Sequence, residues 1–232
     1  VPELEIAVTS ASAARVAVAH GADRVELCTA LELGGVTPSQ GLIEATLEVC
    51  TETHVLVRAR PGDFVYTAEE VAQMSREAAA ITAQGAAGVV IGAVCPDGRL
   101  DLETVARIAG AARRVRPDVA VTVHRAVDAG ADPVAAITEL IASRLDVSRV
   151  LTSGGAVAAG DGIATIASMV AAAGGRIQIM SGGGVTLAAI PALVASGVDA
   201  VHMSATRPCR DHFALDPELV EAAATLLATS RE

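Results

Sequence analysis

Short runs of β-branched and other apolar residues alternate along the chain with longer, Ala-rich stretches of helical period. Eight runs read as strands: Leu4–Val8, Arg24–Cys28, Val55–Ala59, Gly88–Ala93, Val119–His124, Arg149–Thr152, Ile177–Met180 and Ala200–Ser204. The spacing between them predicts helices, among them Ala68–Thr82, Asp101–Arg114, Pro133–Ser143 and Ile163–Ala173. Thr67 ahead of Glu69–Glu70, and Asp132 ahead of Pro133, are helix-start signals, because a side-chain oxygen there accepts from unpaired first-turn amides. Gly-Ala-Asp, Gly-Ala-Ala and Gly-Val-Asp at 21–23, 85–87 and 197–199 each precede a strand, and read as a helix-ending glycine and a short turn.

Eight strand–helix units in 232 residues average about 29 residues each, which suits an α/β fold of the (β/α)8 TIM-barrel type. No Pro/Ser-rich linker interrupts the series, so residues 1–232 read as a single domain. An open doubly wound sheet would carry a glycine-rich turn after its first strand. Here that turn is Thr9-Ser10-Ala11-Ser12.

Period-2 alternation predicts which side chains enter the barrel. Leu4, Ile6 and Val8, Val25 and Leu27, Val55 and Val57, Val121 and Val123, and Val201 and Met203 face the helices. The inward set then holds Glu5, Glu26, Cys28, Arg58, His124, His202 and Ser204, with Arg60 continuing the Arg58 side into a loop. Barrel interiors are ordinarily filled by Val, Ile and Leu, so a polar cluster there must be paired, hydrogen-bonded or liganded. Two carboxylates about 5 Å apart repel by roughly 3 kcal/mol at an effective dielectric near 20. Glu5 and Glu26 therefore need a proton, Arg58, an imidazolium or a metal beside them. Coupled titratable groups at strand ends mark a candidate active site, and a buried structural ion-pair network is the plain alternative.

Composition narrows the chemistry. All 17 basic residues are arginine; lysine and tryptophan are absent, and the aromatics are Phe64, Tyr66 and Phe213. Without an ε-amine, Schiff-base aldolase and pyridoxal-phosphate chemistry are excluded. A net charge of −10 and three aromatics argue against nucleic acid as a partner. The uncharged stretches Ala78–Pro96 and Ile177–Val198 are cut by Gly and Pro, so no membrane span is expected. The chain enters a strand pattern at once, without the basic start of a secretory signal, and its four cysteines form no C-x-x-C motif. Both features suggest reduced thiols and a cytoplasmic location.

The remaining candidates sit after the strands. Gly182, Gly183 and Gly184 follow the seventh strand and precede a helix expected near Thr186; with Ser204 they suggest a phosphate-binding loop. Arg58 and Arg60 suit the clamping of a small anionic ligand. Glu5, Glu26, His124 and His202 suit proton transfer, and Asp128 is placed to orient His124 or Arg125. Phe64 and Tyr66 mark their loop as a lid or subunit contact.

With these residues in view, the chain resembles the CutC family of copper homeostasis proteins over nearly its whole length. The resemblance rests on Gly21-Ala-Asp-Arg-Val-Glu-Leu-Cys28, Gly34-Gly-Val-Thr-Pro-Ser39, Arg58-Ala-Arg60 with Gly62-Asp-Phe64, His124-Arg-Ala-Val-Asp128, Leu151-Thr-Ser-Gly154, Gly182-Gly-Gly-Val185 and His202-Met-Ser-Ala205. It implies a TIM-type barrel, a cytoplasmic homodimer or higher homo-oligomer, and copper as cofactor or cargo with Cys28 as a ligand. The family's second proposed cysteine falls on the first strand, where this chain has Ala7. Two functions therefore stay open. One is copper binding; the other is a TIM-barrel isomerase or lyase, without Schiff-base chemistry, acting on a small anionic or phosphorylated substrate. A non-catalytic ligand-binding scaffold is a third.

Overall fold

In a computed structural model of the chain, which describes residues 1–130, 132–209 and 212–229, eight parallel strands close into a barrel in sequence order. They are β1 (Glu3–Val8), β2 (Arg24–Leu27), β3 (Thr53–Leu56), β4 (Gly88–Ile91), β5 (Ala120–Val123), β6 (Arg149–Thr152), β7 (Gln178–Ser181) and β8 (Ala200–Met203). The helices that follow them are α1 (Ala11–Ala19), α2 (Gln40–Leu47), α3 (Ala68–Ala83), α4 (Leu102–Arg113), α5 (Pro133–Ala142), α6 (Ile163–Ala173), α7 (Ile190–Ala195) and α8 (Pro217–Thr229). This is the TIM-type barrel the pattern predicts. The glycines at 21, 85 and 197 adopt positive φ just ahead of β2, β4 and β8.

Local signals set the helix starts. Thr67 accepts from the Glu70 amide while the Glu70 carboxylate accepts from the Thr67 amide, so two first-turn donors are satisfied reciprocally. Asp101 and Asp132 cap α4 and α5 in the same way with single side chains. Along α3, Val71, Met74, Ala78 and Ile81 are buried at helical spacing. Burying each of the larger ones stabilises the fold by roughly 1.5–3 kcal/mol.

The main core lies between barrel and helices, and it contains every strand residue expected to face outward, from Leu4, Ile6 and Val8 to Val201 and Met203. Two small apolar clusters stand apart from it, Cys28–Leu56–Val90 and Leu151–Met180–Ala200. Their parity places them inside the barrel.

Two elements differ from the sequence pattern. β3 ends at Leu56: the Val57 amide still donates to Val90, but the Arg58 carbonyl then accepts from Thr37 in a loop. After β8 the chain forms an antiparallel hairpin, β9 (Thr206–Cys209) with β10 (His212–Leu215), whose Pro208 and short strands carry no alternation to reveal it. The segment after the Gly182–Gly184 loop is a 3-10 turn, Leu187–Ala189, running into the six-residue α7. The helix expected near Thr186 thus begins there as a 3-10 turn, with α-helix from Ile190.

Candidate functional site

Strand register decides what surrounds Glu5. Its neighbours across β1 are Arg24 on β2 and His202 on β8, whereas Glu26 lies opposite Ala7. Glu5 is fully buried. Its Oε2 accepts from Arg24 Nε at 2.5 Å and its Oε1 pairs with His202 Nδ1 at 2.7 Å. Arg24 also donates to Glu3 at 2.7 Å, and Arg149 lies 3.5 Å from the same carboxylate. The charge beside Glu5 is thus balanced by Arg24 and His202. Arg58 takes no part. Burial opposes ionisation of Glu5, but the His202 hydrogen bond and the charges of His202, Arg24 and His54 hold its carboxyl well below the usual range.

Glu26 is the contrasting carboxylate. It is buried, its Oε2 has no hydrogen-bond partner, and the nearest cationic group is His202 Nδ1 at 3.6 Å. Burial pushes its carboxyl up to about 7, with His202 opposing and the Glu5 charge assisting. Burial works against charge on His202, but the Glu5 hydrogen bond and the charges of Glu26 and Glu5 raise it above its ordinary value. His202 is thus shifted toward its protonated form by Glu5 and Glu26, while burial shifts Glu26 toward its neutral form. Unlike neighbours of this kind are how one site holds an acid and a base together.

Glu26 and His202 face a cavity of about 970 Å³ at the C-terminal mouth of the barrel. Its walls include Ala7, Glu26, Cys28, Arg58, His124, Arg125, Gly183, Gly184, His202 and Ser204. His124 leaves β5 with its Nδ1 accepting the Ala126 amide at 3.1 Å, so the proton of the neutral ring sits on Nε2, which has no partner. Burial, then the Arg58 charge, pushes His124 down to about 3. Gly92 makes this placement possible: a Cβ there would come within 2.6 Å of the imidazole. Phe64 lies over the same ring, 4.8 Å between centroids, and Arg58 stacks on Phe64 at 4.9 Å. Phe64 thus turns inward and forms part of the cavity wall.

The sequence candidates divide accordingly. Glu26, Cys28, Arg58, His124, His202, Ser204, Gly183 and Gly184 line the cavity, and Glu5 lies beneath them, bonded to His202. Arg58 donates to the carbonyls of Gly34, Gly35 and Gly62, leaving Nε alone unpaired. Arg60 is outside the cavity, paired with Glu70 at 2.6 Å and Asp63 at 3.0 Å, because β3 has already left the ladder. Asp128 does not bond His124. It accepts from Thr152, Ser153, Gly155 and Arg125, and so organises the loop after β6. Gly182 abuts Leu151 and His202, where a Cβ would not fit. Sequence parity could have found Arg24 and His54, which share the inward face with Glu26 and Arg58; Arg125 gave no such signal.

Copper can be tested against the donors. Cu(I) prefers soft sulfur ligands. Cys28 is 1% exposed and packs with Leu56 and Val90. Burial, then the charges of Glu26 and Glu32, pushes its thiol up to about 12. Among the described residues the group able to surround an ion is Glu5, Glu26 and His202, with ligand atoms within 4.8 Å of one another and no thiol. These residues do not fit Cu(I). An oxygen–nitrogen set suits a divalent ion better.

Fold and site together define a TIM-type barrel with a carboxylate–imidazole cluster at the C-terminal mouth, where enzymes of this fold carry their active sites. No helix among the described residues is long and apolar enough to cross a membrane. The chain belongs to the CutC family, whose profile matches residues 3–207. A CutC family protein of Sinorhizobium medicae is 44% identical over 183 residues, covering 79% of this chain and 72% of its own. One of Xanthomonas campestris pv. campestris is 42% identical over 207 residues, covering 88% and 84%. The crystal structure of a Streptococcus agalactiae protein, named provisionally a copper homeostasis protein CutC, superposes with a TM-score of 0.79 at 27% identity, covering 88% of this chain and 99% of that one. A thiamine phosphate pyrophosphorylase of Pyrococcus furiosus, at 14% identity and TM-score 0.63, shares the fold.

Proposed function

We propose that the barrel mouth is the active site of an enzyme that moves a proton on a small anionic substrate, in an isomerisation or a lysis. The observation that carries this is Glu26, a buried carboxyl near neutrality with an unpartnered oxygen, beside an imidazole fixed by Glu5. Glu26, at about 7, takes a proton from the substrate near neutral pH, and His202 returns one. Neutral His124 donates from Nε2 to developing negative charge on a substrate oxygen. The Gly183–Gly184 loop anchors the anionic group. Lysine is absent from the sequence, so no Schiff base enters. The four cysteines are unpaired, which supports a reducing, cytoplasmic compartment.

A thermal-shift screen of small phosphorylated and carboxylated metabolites, with and without divalent metals, tests this reading. The expected hit raises the Tm of the wild type, and proton exchange into that compound, followed by NMR in deuterated water, is lost in Glu26→Gln. A panel with no shift overturns the proposal.

The name carried by the Streptococcus agalactiae structure favours a second reading, copper handling. The Glu5–Glu26–His202 cluster supports it for a divalent ion: Glu26 and His202 would hold Cu(II), with Glu5 orienting the imidazole. Titration against competing chelators for Cu(I) and Cu(II) decides it. Stoichiometric Cu(II) lost in His202→Ala supports this reading. Cu(I) lost in Cys28→Ser would instead restore the thiol site, and no retained metal removes copper altogether.

A further inference from the structure

We propose that Arg125, with the backbone of Gly183–Gly184, forms a phosphoryl-binding subsite that selects phosphate monoesters over carboxylates. This inference rests on the reading of the mouth as a small-molecule site, and it assigns the anion-holding role to neither Arg58 nor Arg60. Arg125 lines the cavity, and its side chain is 40% exposed. Its Nε donates to Asp128 at 3.3 Å and its Nη2 to Ser153 Oγ at 3.0 Å. Nη1 has no partner among the described residues. Asp128, itself held by Thr152, Ser153 and Gly155, fixes the plane of the guanidinium.

That plane lies against the loop after β7. A Cβ on Gly183 would come within 2.7 Å of Arg125 Cζ and 2.8 Å of Nη1, and Gly183 has φ +96°. Glycine is required there by both the close approach and the backbone. The amides of Gly183 and Gly184 donate to nothing among the described residues, and both glycines line the cavity. Successive free amides of this kind form an anion-binding concavity. The Ser204 hydroxyl, on the same cavity wall, is likewise without a partner among the described residues.

The donor pattern separates the anions. A carboxylate is best bound by two parallel N–H groups of one guanidinium. Arg125 cannot offer that fork, because Asp128 holds Nε and both Ser153 Oγ and the Ala156 carbonyl accept from Nη2. Arg58 cannot either: its Nε is buried, and Nη1 and Nη2 donate to the carbonyls of Gly34, Gly35 and Gly62. What remains is a set of single donors from separate groups. A phosphoryl group presents three acceptor oxygens at tetrahedral angles and can take them together.

Isothermal titration calorimetry with inorganic phosphate, glycerol 3-phosphate and succinate tests the subsite. Wild type is expected to bind both phosphates, and succinate at least tenfold more weakly. Arg125→Gln is expected to weaken both phosphates tenfold or more, Arg125→Lys to restore part of the loss, and Arg60→Gln to leave binding unchanged. Thermal melts check that each variant is folded. Should Arg125→Gln fail to fold, Arg125→Lys and Ser204→Ala carry the test, each expected to weaken glycerol 3-phosphate by several-fold. The proposal is overturned if wild type binds neither phosphate, binds inorganic phosphate alone, or prefers succinate, or if the folded variants bind like wild type. Binding of phosphates with no Glu26-dependent proton exchange would sink the catalytic reading and leave this subsite standing.

Discussion

Replacing Glu26 by Gln reads the ionisation of the central carboxyl through stability. Glu26 titrates at about 7 in the folded chain, against an ordinary value of 4.5. Between those values the folded form keeps a proton that the unfolded chain has released. A group raised in this way contributes stability that is full below pH 4.5 and is lost as the pH climbs through about 7. At about 1.4 kcal/mol per pH unit, the loss is about 3 kcal/mol across that window. His54 and His124 work in the opposite direction. Burial lowers each to about 3, so their contributions are absent in strong acid and grow until the ordinary value of 6.5 is passed. The total profile therefore mixes opposing slopes, and the difference between wild type and Glu26→Gln isolates one of them. Urea unfolding at half-unit steps from pH 4.5 to 8 is the assay. Relative to wild type, Glu26→Gln is expected to gain about 3 kcal/mol by pH 7 and to level off beyond. A flat difference would mean that Glu26 ionises as an ordinary carboxylate, and the opposite slope that folding lowers its pKa; either would leave proton transfer without a base matched to neutral pH.

Three further outcomes follow from the same contacts. Arg24→Met leaves Glu5 buried with His202 as its close cationic partner, and urea unfolding should show a loss of about 3–5 kcal/mol, recovered largely in the double variant with Glu5→Gln. Asp128→Ala strips the acceptor from the Ser153 and Gly155 amides, so hydrogen exchange at both should accelerate and stability should fall by about 2–3 kcal/mol. Cys28, buried and pushed up to about 12, should stay unreactive toward a chromogenic disulfide at pH 8 in the native state, while exposed Cys209 reacts within minutes.

The sequence by itself determined the architecture. Eight alternating units of about 29 residues, without a glycine-rich turn after the first strand, pointed to a closed barrel, and the period-2 rule sorted Val25 and Leu27 outward and Glu26 and Cys28 inward. The sequence also shows no lysine among its 232 residues, so none of them offers an ε-amine for a Schiff base. Much of the site's membership was equally readable, since parity acts within a single strand. What parity cannot carry is the offset between strands. Register set Arg24 and His202 beside Glu5 and left Glu26 opposite Ala7, and from that follow one ionised carboxylate and one near neutrality. Loop paths were equally hidden: β3 ends early and carries Arg60 away, while Asp128 draws Arg125 across Gly183 into the mouth. Alternation is a local property of the chain. Register and loop closure depend on residues far apart in sequence, and only the folded barrel brings those together.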